Sequence, residues 1–507
     1  MPRYVLREHN AVKKDISKVD VLFGYCYPST YRAGMTGLAT HLFYSILNSR
    51  TDTSCERYFR YDVPSPGHSV ESGRALSENH IVGFSLTYEE DIINLLQMLK
   101  ISKIPIMSSE RTENDPIILV GGPVSSSNPE PYVDFIDAFV IGEGDYVIHE
   151  IVDATRNSSS RSEAIIQLSK LKGVYVPAQN PTHVDRLIVD DLDDAFHPTE
   201  QVIPDVESGS KLESVFGKTL LVEVSRGCGH SCKFCLVGHI CRPRRVRSLK
   251  QLEKIIEMGL VGTPVKKIAL IASSLGDLDR LEDLAAWIVN QDLELSVPSL
   301  RADSVTLDLL KSLHKGGQRT LTIAPETGSE RLRKQMGKGL KESDIYSAVD
   351  LAKESGYRAV KTYFIIGLPD ETDEDVLAIA SMVEKIATKS KLRVTASVNP
   401  FIPKAHTRWE RMPQPPIEEL RRKNKLLEKA LRNVARAELE TLDPRHARIQ
   451  AALSIADRTI GKLIRVAADY GGLGGWRRAQ KETNISFFSL ANEQNRYDKT
   501  LPWSFIR

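Results

Sequence analysis

The stretch that decides the fold is Ser225-Arg226-Gly227-Cys228-Gly229-His230-Ser231-Cys232-Lys233-Phe234-Cys235. Its cysteines follow a C-x-x-x-C-x-x-C spacing, directly after the apolar run TLLVEV at 219–224, which is typical of a buried strand. Four of the six cysteines in the chain fall within fourteen residues, whereas a disulfide scaffold spreads its cysteines along the chain. Clustered thiols of this kind indicate a metal centre.

Two kinds of metal centre suit these thiols. Cys228, Cys232 and Cys235 can hold three irons of a 4Fe–4S cluster and leave the fourth iron open to a ligand. The alternative is a zinc site with His230 or Cys241 as the fourth ligand, although zinc usually takes paired Cys-x-x-Cys or His groups. The position of the motif favours iron–sulfur, because catalytic groups of barrels lie in the loops that follow strands.

Around the motif, the chain alternates strands and helices. Strands are predicted at 219–224, 267–272, 294–298, 319–323, 359–366 and 392–398, with amphipathic helices between them. Six such units within residues 216–402 predict a partial (β/α)6 barrel. Residues 403–507 are expected to form a mainly helical C-terminal extension that caps the substrate site, with long helices at 416–440 and 443–470 and a Gly- and aromatic-rich tail from 471.

Residues 1–150 show a second alternation of strands and helices. The apolar runs at 19–28, 81–88, 117–124 and 137–145, with helices near 34–48 and 89–100, predict a doubly wound, Rossmann-like sheet, so the fold class is α/β. Residues 151–215 are expected to be a linker with a small insert. Ligands of such sheets bind at the carboxyl ends of the strands. The residues at those ends are Tyr27, Pro28, Ser85, Thr87, Tyr88, Gly121, Gly122, Pro123, Gly142, Glu143 and Gly144.

Composition sets the broad class. A chain of 507 residues suggests two or three domains, and 41% hydrophobic with 26% charged residues is ordinary for a soluble protein. The sequence has no run of about 18 apolar residues and no signal-peptide core at its start, so a cytoplasmic protein without a membrane span is expected. The net charge is +2, and the basic run at 242–250 lacks aromatic interleaving, so nucleic acid is not favoured as a partner.

On these residues, the chain resembles the radical S-adenosylmethionine (SAM) superfamily over about 218–400. The resemblance implies Cys228, Cys232 and Cys235 as ligands of a 4Fe–4S cluster. It also implies SAM contacts in the motif and at the ends of later strands. By position these are Phe234, Ser273, Ser274, Ser299, Arg301, Glu326 and Ile365. The usual Gly-Gly-Glu after the second strand is replaced by Ala-Ser-Ser at 272–274, which leaves the contact to the methionine amino group open.

Plainer interpretations exist for several of these residues. Ser273 and Ser274 would also suit the start of a turn. Arg301 would suit a surface charge, and Glu326 would suit the N-terminus of a helix that begins near Ser329.

A doubly wound domain ahead of such a barrel is similar to the cobalamin-dependent subclass of the superfamily. Many cobalamin domains carry Asp-x-His-x-x-Gly after the first strand, and that histidine binds cobalt from below; here the sequence is YCYPSTYR at 25–32, without histidine. Tyr27, Tyr31 and Arg32 are therefore the candidates for the lower face of cobalt. The resemblance makes these residues, together with the strand-end residues named above, the expected cobalamin contacts. The alternative is a Rossmann-like domain with no ligand, whose glycines only form turns.

The resemblance implies a methyltransferase that modifies an unactivated sp3 carbon through a 5′-deoxyadenosyl radical and methylcobalamin. No side chain is assigned a catalytic role beyond the cofactors, since the cofactors carry the hard chemistry. A narrower resemblance is to the enzymes of methanogens that methylate a glutamine in methyl-coenzyme M reductase. A protein or peptide substrate and a ferredoxin- or flavodoxin-type reductant are the expected partners.

Two other classes compete with this one. A radical SAM methylthiotransferase, acting on RNA or protein, also has a doubly wound N-terminal domain, but that domain binds a second cluster through three cysteines. Only Cys26 and Cys55 precede residue 228 here. The other alternative is a non-catalytic cobalamin or cluster carrier, against which the strand-end SAM features argue.

Overall fold

The computed structural model describes residues 6–61, 66–492 and 500–507. The first of its two strand-rich units contains a six-stranded sheet. Its strands are β1 (Val21–Thr30), β2 (Thr53–Tyr61), β3 (Ile81–Ser85), β4 (Ile117–Gly121), β5 (Ala138–Val140) and β6 (Val174–Tyr175). The spatial order is β2-β1-β3-β4-β5-β6; β1 to β5 are parallel, and β6 runs antiparallel to β5. The crossovers between parallel strands place helices on both faces of the sheet.

Four helices of eight residues or more accompany this sheet: α1 (Leu38–Ser49), α2 (Asp91–Ile101), α3 (Val147–Arg156) and α4 (Arg161–Leu168). Two shorter helices lie at Tyr31–Thr36 and Pro123–Ser127. Leu47 of α1 and Ile151 of α3 are fully buried in the core on one face, and Leu95 of α2 is fully buried in the core on the other. The predicted doubly wound sheet is therefore confirmed. The predicted boundary at residue 150 falls inside α3, and β6 extends the unit to Tyr175.

Strand β2 is not among the strands predicted from the sequence, and its charged residues explain why. Glu56 and Arg57 interrupt the apolar pattern of the strand, yet both are buried. Arg57 Nε lies 2.6 Å from Glu71 Oε1, and Arg57 Nη2 lies 2.6 Å from Glu8 Oε2. Buried charges are tolerated when they are paired in this way, and the partners come from distant parts of the chain.

The second unit is a partial barrel of seven parallel strands. They are β7 (Leu220–Glu223), β8 (Lys267–Ile271), β9 (Glu294–Ser296), β10 (Thr320–Glu326), β11 (Ala359–Ile366), β12 (Arg393–Pro400) and β13 (Ala437–Thr441). Strands β9-β8-β7 form one sheet and β10-β11-β12-β13 another, and a parallel bridge from Leu300 to Ile323 joins the two groups. The helices are α5 (Leu249–Gly262), α6 (Leu281–Val289), α7 (Leu307–Lys315), α8 (Glu342–Glu354), α9 (Asp373–Ser390) and α10 (Ile417–Leu431).

All six strands predicted for the barrel are present, and the seventh, β13, corrects the sequence analysis. Residues 416–440 were predicted to form one long helix, but α10 ends at Leu431 and Arg436 adopts a left-handed φ of +68°. Strand β13 follows, paired to the edge of β12. Glu438 and Glu440 are exposed, as the outward positions of an edge strand are. A short charged edge strand depends on its neighbour for stability, which the local sequence does not reveal.

The C-terminal helices occupy a different place from the predicted one. They are α11 (Pro444–Ile455), α12 (Gly461–Tyr470) and α13 (Gly472–Thr483). Helix α12 packs on α2, α11 also contacts α10 and β12 of the barrel, and apolar residues of all three helices share a buried core with that face of the N-terminal sheet. Gln97 Nε2 donates to Ala468 O at 3.0 Å, and Asn128 Nδ2 donates to Ala456 O at 2.8 Å. None of the helices in the described ranges has both the length and the apolar character that crossing a bilayer requires.

Candidate active site

The cysteine loop begins where β7 ends, at the carboxyl edge of the barrel. Gly227 has a φ of +76°, and a Cβ at this position would lie 2.0 Å from the Cys241 carbonyl oxygen, so the close turn requires glycine. Ser225 and Arg226 pair antiparallel with Val246 and Arg245, which returns the chain after the loop to the same edge. The loop is thus anchored at both of its ends.

Backbone hydrogen bonds also hold the loop between its cysteines. Lys233 N donates to Met336 O at 2.9 Å, Cys235 N donates to Cys232 O at 3.1 Å, and Trp409 N donates to Lys233 O at 3.1 Å. The loop therefore contacts both the segment after β10 and the segment after β12. Three thiols held on one such loop are the donor set that a three-cysteine iron–sulfur cluster uses.

The three thiols differ in exposure. Cys232 is buried, whereas Cys228 and Cys235 are half-buried. Burial raises the pKa of the Cys232 thiol to about 11, and the nearby cation of Lys338 acts in the opposite direction. Among the described residues, no three histidine, cysteine, aspartate or glutamate side chains lie close enough together to form a metal site, and this includes the three cysteines of the motif. His230 Nε2 lies 2.8 Å from Asp277 Oδ2, so the imidazole named in the zinc alternative is paired with a carboxylate.

A carboxylate and two cations lie beside Cys232. Glu326, at the end of β10, has a left-handed φ of +67°, which is rare for a residue with a side chain and is found mostly at functional sites. Its carboxylate lies 2.8 Å from Lys338 Nζ. Arg301 donates to the Lys338 carbonyl oxygen at 3.3 Å, and its charge acts on the Cys232 thiol. The helix at Glu330–Gln335 is capped by Ser329, so Glu326 does not serve as its cap.

Of the other predicted SAM contacts, some lie beside the cysteine loop or the cavity and others do not. Phe234 and Ile365 pack together in a small apolar cluster with Trp409, next to the cysteine loop. Ser273 lines a cavity, described below, that reaches this loop. Ser274 Oγ donates to Asp277 Oδ2 at 2.7 Å, which is the turn role considered as its alternative, and Ser299 is exposed.

A cavity of about 490 Å³ lies between the two units. On one side it is lined by the carboxyl ends of β3, β4 and β5, by Phe23 and Tyr25 of β1, and by residues of α1 and α3. On the other side it is lined by Glu223, Ser225, Arg226, Gly227, Val237, Cys241, Ile271, Ala272 and Ser273. The carboxyl edges of both parallel sheets therefore face a single space, which is where open α/β sheets and barrels bind their ligands.

The cavity changes character from one end to the other. Its inner part lies among Phe23, Leu42, Leu119 and Val147, between the sheet and the helices α1 and α3. Other parts of its wall carry charged side chains, namely Glu143, Asp145, Glu223 and Arg226.

Comparison with known proteins identifies the family. Residues 39–177 match the family model of radical SAM proteins, N-terminal, and residues 222–383 match that of the radical SAM superfamily. An uncharacterized protein of Methanocaldococcus jannaschii is 32% identical over 447 residues, which is 86% of this chain and 89% of that protein. The chain belongs to the radical SAM superfamily. The prediction of a radical SAM enzyme is thereby confirmed.

Solved structures show which radical SAM proteins share the whole fold. The methyltransferase TsrM from Kitasatospora setae, solved with cobalamin and a [4Fe-4S] cluster, has a TM-score of 0.57 at 13% identity, over 92% of this chain and 98% of its own. The cobalamin-dependent enzyme OxsB, solved with aqua-cobalamin and SAM, has a TM-score of 0.54 at 16% identity, over 92% of this chain and 70% of its own. The predicted combination of a doubly wound domain with a partial barrel is the fold of these cobalamin-dependent enzymes.

Methylthiotransferases are also related to this radical SAM protein, over a shorter part of the chain. The threonylcarbamoyladenosine tRNA methylthiotransferase MtaB of Thermotoga maritima is 25% identical over 265 residues, which is 47% of this chain and 60% of that protein.

Most of the strand-end residues predicted from the sequence line the cavity of this radical SAM protein. They are Ser85, Thr87, Gly121, Gly122, Pro123, Gly142, Glu143 and Gly144. Tyr27, Pro28 and Tyr88 do not line it, although the Tyr27 hydroxyl lies 3.4 Å from Thr87 Oγ1 at its edge. Tyr31 is a correction: it is fully buried in the sheet core and donates to Glu8 Oε1 at 2.6 Å, so it cannot face the cavity. Arg32 is exposed and does not line the cavity either.

The sequence analysis missed several cavity and cluster neighbours. Tyr25 and Ser225 lie within strands and look like ordinary core positions in the sequence. Lys338 follows a short helix and is flanked by two glycines, which is a weak signal for any role. Arg226, immediately before the cysteine motif, was the residue best marked by its position. Its ion pairs reach Glu143 and Asp145 of the other unit, and only the structure shows that contact.

Replacing any one of Cys228, Cys232 and Cys235 with alanine is expected to abolish the cluster, because each thiolate holds one iron. The protein would be reconstituted anaerobically with iron and sulfide, and its iron content and absorption near 400 nm would be measured. Cys241→Ala is the matched control and should keep the wild-type iron content. Loss of iron in Cys241→Ala together with retention in Cys228→Ala would contradict this assignment.

Proposed function

We propose that this radical SAM protein is a cobalamin-dependent C-methyltransferase that acts on an unactivated sp3 carbon. The observation that carries the proposal is the cavity to which both the N-terminal strand ends and residues of the cysteine loop, among them Gly227 and Cys241, contribute, while Cys228, Cys232 and Cys235 lie outside its lining. A reaction in which one cofactor activates a substrate carbon and another supplies the methyl group needs both of them beside that carbon, because proximity supplies much of the rate. The fold shared with TsrM and OxsB supports the same proposal.

The residues of the N-terminal unit suit cobalamin. The apolar inner part of the cavity would accept the flat base of the nucleotide tail, and the glycines at the strand ends let a corrin approach the backbone. Gly121 shows how open this part of the cavity is. A Cβ added at Gly121 would have one neighbouring atom within 4 Å, Val140 Cβ at 3.9 Å. The position is therefore kept open by the absence of a side chain. Ser85 and Thr87, which line the cavity, supply polar contacts for the amide groups of the corrin.

The residues of the barrel suit a cluster and SAM. Cys228, Cys232 and Cys235 would hold the cluster, and Glu326 and Lys338 beside Cys232 are matched in charge to the amino and carboxylate groups of SAM. When bound, the cluster, SAM and cobalamin supply the electron, the radical precursor and the methyl group. The chain itself orients these groups and keeps bulk water away from the space between them.

The substrate class we propose is a glutamine side chain in a protein, as in the methyl-coenzyme M reductase of methanogens. The likeness of layout to the enzymes of that reaction supports this choice.

The competing methylthiotransferase function would need a second cluster in the N-terminal unit. Cys26 and Cys55 are the only cysteines before the motif, and both are fully buried. Cys26 belongs to the core on one face of the sheet and Cys55 to the core on the other, so the two thiols cannot share a cluster. This arrangement favours methylation over methylthiolation.

The proposed reaction is tested by mass spectrometry. The reconstituted protein, a reductant and SAM with a deuterated methyl group are incubated with glutamine-containing peptides of methyl-coenzyme M reductase. We expect a mass gain of one labelled methyl group on a carbon of the peptide, together with 5′-deoxyadenosine. A gain that includes sulfur would contradict the proposal in favour of methylthiolation, and SAM that is never consumed would favour a carrier.

Gly121→Leu is expected to weaken cobalamin binding by about 5- to 150-fold, since overpacking a fitted site costs on the order of 1–3 kcal/mol. The cobalt content after reconstitution and desalting measures the effect, and the iron content should stay at the wild-type value. Gly474→Leu is the matched control, because Gly474 is exposed on α13 and its added Cβ meets nothing within 4 Å. Wild-type cobalt content in Gly121→Leu would contradict the assigned cobalamin site.

Lys338→Met is expected to weaken SAM binding about 10- to 100-fold, because a hydrogen bond to a charged group is worth about 1.5–3 kcal/mol. Equilibrium dialysis with labelled SAM on the cluster-loaded protein measures the change. Lys361→Met, which removes an exposed Lys–Glu pair of the same 2.8 Å length, is the control and should leave SAM binding unchanged. Equal effects of the two substitutions would contradict the assigned SAM contact.

A further inference from the structure

Arg226 makes a double bidentate contact between the two units. Its Nη1 and Nη2 each donate to one carboxylate oxygen of Asp145 at 2.8 Å. Its Nε and Nη2 donate to the two carboxylate oxygens of Glu223 at 2.8 and 3.0 Å. Asp145 follows β5 of the N-terminal sheet, whereas Glu223 ends β7 of the barrel. The guanidinium therefore links the carboxyl edges of the two sheets, two residues before the first cysteine of the motif.

A second arginine makes the same link from the other side of the cysteine loop. Arg245 donates to both carboxylate oxygens of Glu143, at 2.9 and 2.8 Å, and to the Val189 carbonyl oxygen at 2.7 Å. Glu143 also lies 3.3 Å from Arg226 Nη1. Because Arg226 and Arg245 face each other across a short antiparallel pair, the two arginines and their carboxylates form one network. We call Arg226, Arg245, Glu143, Asp145 and Glu223 the arginine clamp.

The backbone around the clamp leaves little freedom. Gly142, next to Glu143, has a φ of +100°, and a Cβ there would lie 2.2 Å from the Leu187 carbonyl oxygen. Glu143 N donates to that same carbonyl at 2.9 Å, and Val189 N donates to Glu143 Oε2 at 2.8 Å. Glu143 is therefore held by its backbone and its side chain, as the cysteine loop that carries Arg226 and Arg245 is held at both of its ends.

The clamp lies in the wall of the cavity. Glu143, Asp145, Glu223 and Arg226 all line it, between the strand ends of the N-terminal sheet and the start of the cysteine loop. The side chains are largely buried: Asp145 is 4% exposed and Arg226 is 12% exposed. Buried ion pairs contribute little net stability, because desolvation offsets their attraction. Their geometry is nevertheless well defined, since a bidentate arginine–carboxylate pair fixes both distance and orientation.

We propose that the arginine clamp is a positioning device that sets the spacing between the N-terminal unit and the cysteine loop. This inference rests on the proposed function: the clamp would fix the distance between cobalamin, which supplies the methyl group, and the substrate carbon held beside the cysteine loop. Arg226 and Glu143 are positioning residues in this account; Glu143 acts on the spacing through its arginines instead of binding cobalamin directly. Lysine cannot replace Arg226, because a single ammonium group cannot form two bidentate contacts.

The test uses Arg226→Lys, which keeps the charge and loses the double fork. Arg422→Lys is the matched control. Arg422 forms bidentate contacts to Asp373 and Glu419 with lengths of 2.6–2.8 Å, but it is half exposed and lies on α10 on the outside of the barrel. Asp145→Asn serves as a second variant if Arg226→Lys does not fold, since it keeps the shape and removes the charge. Melting temperature and iron content identify variants that are folded and loaded.

The spacing is read without cobalamin. A nitroxide is attached at Glu150→Cys, an exposed position on α3 of the N-terminal unit, in a Cys241→Ser background, and its distance to the reduced cluster is measured by pulsed electron paramagnetic resonance. We expect a narrow distance distribution in the protein without a clamp substitution and in Arg422→Lys. In Arg226→Lys or Asp145→Asn the distribution should broaden or shift. An unchanged distribution in folded Arg226→Lys and Asp145→Asn would overturn the clamp, whether or not the protein takes up cobalamin.

The second readout is the number of methyl groups transferred per 5′-deoxyadenosine formed. With both cofactors bound, Arg226→Lys is expected to form 5′-deoxyadenosine at near the wild-type rate while methyl groups transferred per 5′-deoxyadenosine fall about 100-fold, as a displacement of about 1 Å can produce. Wild-type coupling in Arg226→Lys would overturn the positioning role. Absence of cobalt uptake and methyl transfer in the wild-type protein would instead overturn the proposed function, and the distance measurement would still decide the clamp.

Discussion

The rest of the structure depends on one constraint. The carboxyl edges of two parallel sheets face each other, and the cysteine loop is held between them. Strand ends of parallel sheets leave backbone groups and loops free for ligands, and here both sets of ends open onto one cavity. The loop therefore makes contacts with both the barrel and the N-terminal unit. It is fixed to the barrel by the backbone contacts of Lys233 with Met336 and Trp409, and to the N-terminal unit by the pairs of Arg226.

The C-terminal helices complete this arrangement from a distance. The N-terminal sheet needs cover for two apolar faces, and α2 alone does not span the second one. Helices α11 to α13 supply the missing layer, so the end of the chain stabilises the unit formed by its beginning. The segment from Phe401 to Gln414, between β12 and α10, contacts the cysteine loop through Trp409 and the N-terminal unit through Lys404, which pairs with Glu89. The barrel is thereby bound to its neighbour on two sides.

The sequence was informative where structure is decided locally. The six barrel strands and four strands of the N-terminal sheet are continuous apolar runs, and the cysteine spacing specifies its own chemistry. Strand β2 and strand β13 were missed because their charged residues are explained by partners far along the chain, Glu8 and Glu71 in one case and the edge of β12 in the other. The position of α12 and α13 was wrong for the same reason: an amphipathic pattern shows that a face is buried but not against what.

The candidate site divides in a similar way. Glycines at strand ends, such as Gly121 and Gly122, were predicted to line a ligand site and do line the cavity, because their position after a strand determines where they lie. Side chains were harder to assign. Tyr31 is turned into the core by its bond to Glu8, and the carboxylate of Glu143 is engaged by two arginines. Which partner a charged or hydroxyl side chain finds is a property of the folded chain.

The central claim is that one chain carries a cluster and a corrinoid on either side of the same cavity. The most direct measurement is the iron and cobalt content, with the absorption spectrum, of the wild-type protein after anaerobic reconstitution with iron, sulfide and hydroxocobalamin followed by desalting. The account predicts about four irons, the content of one cluster, and one cobalt retained per chain. Iron without cobalt would contradict the account of the cavity, and zinc in place of iron would contradict the assignment of the cysteine loop.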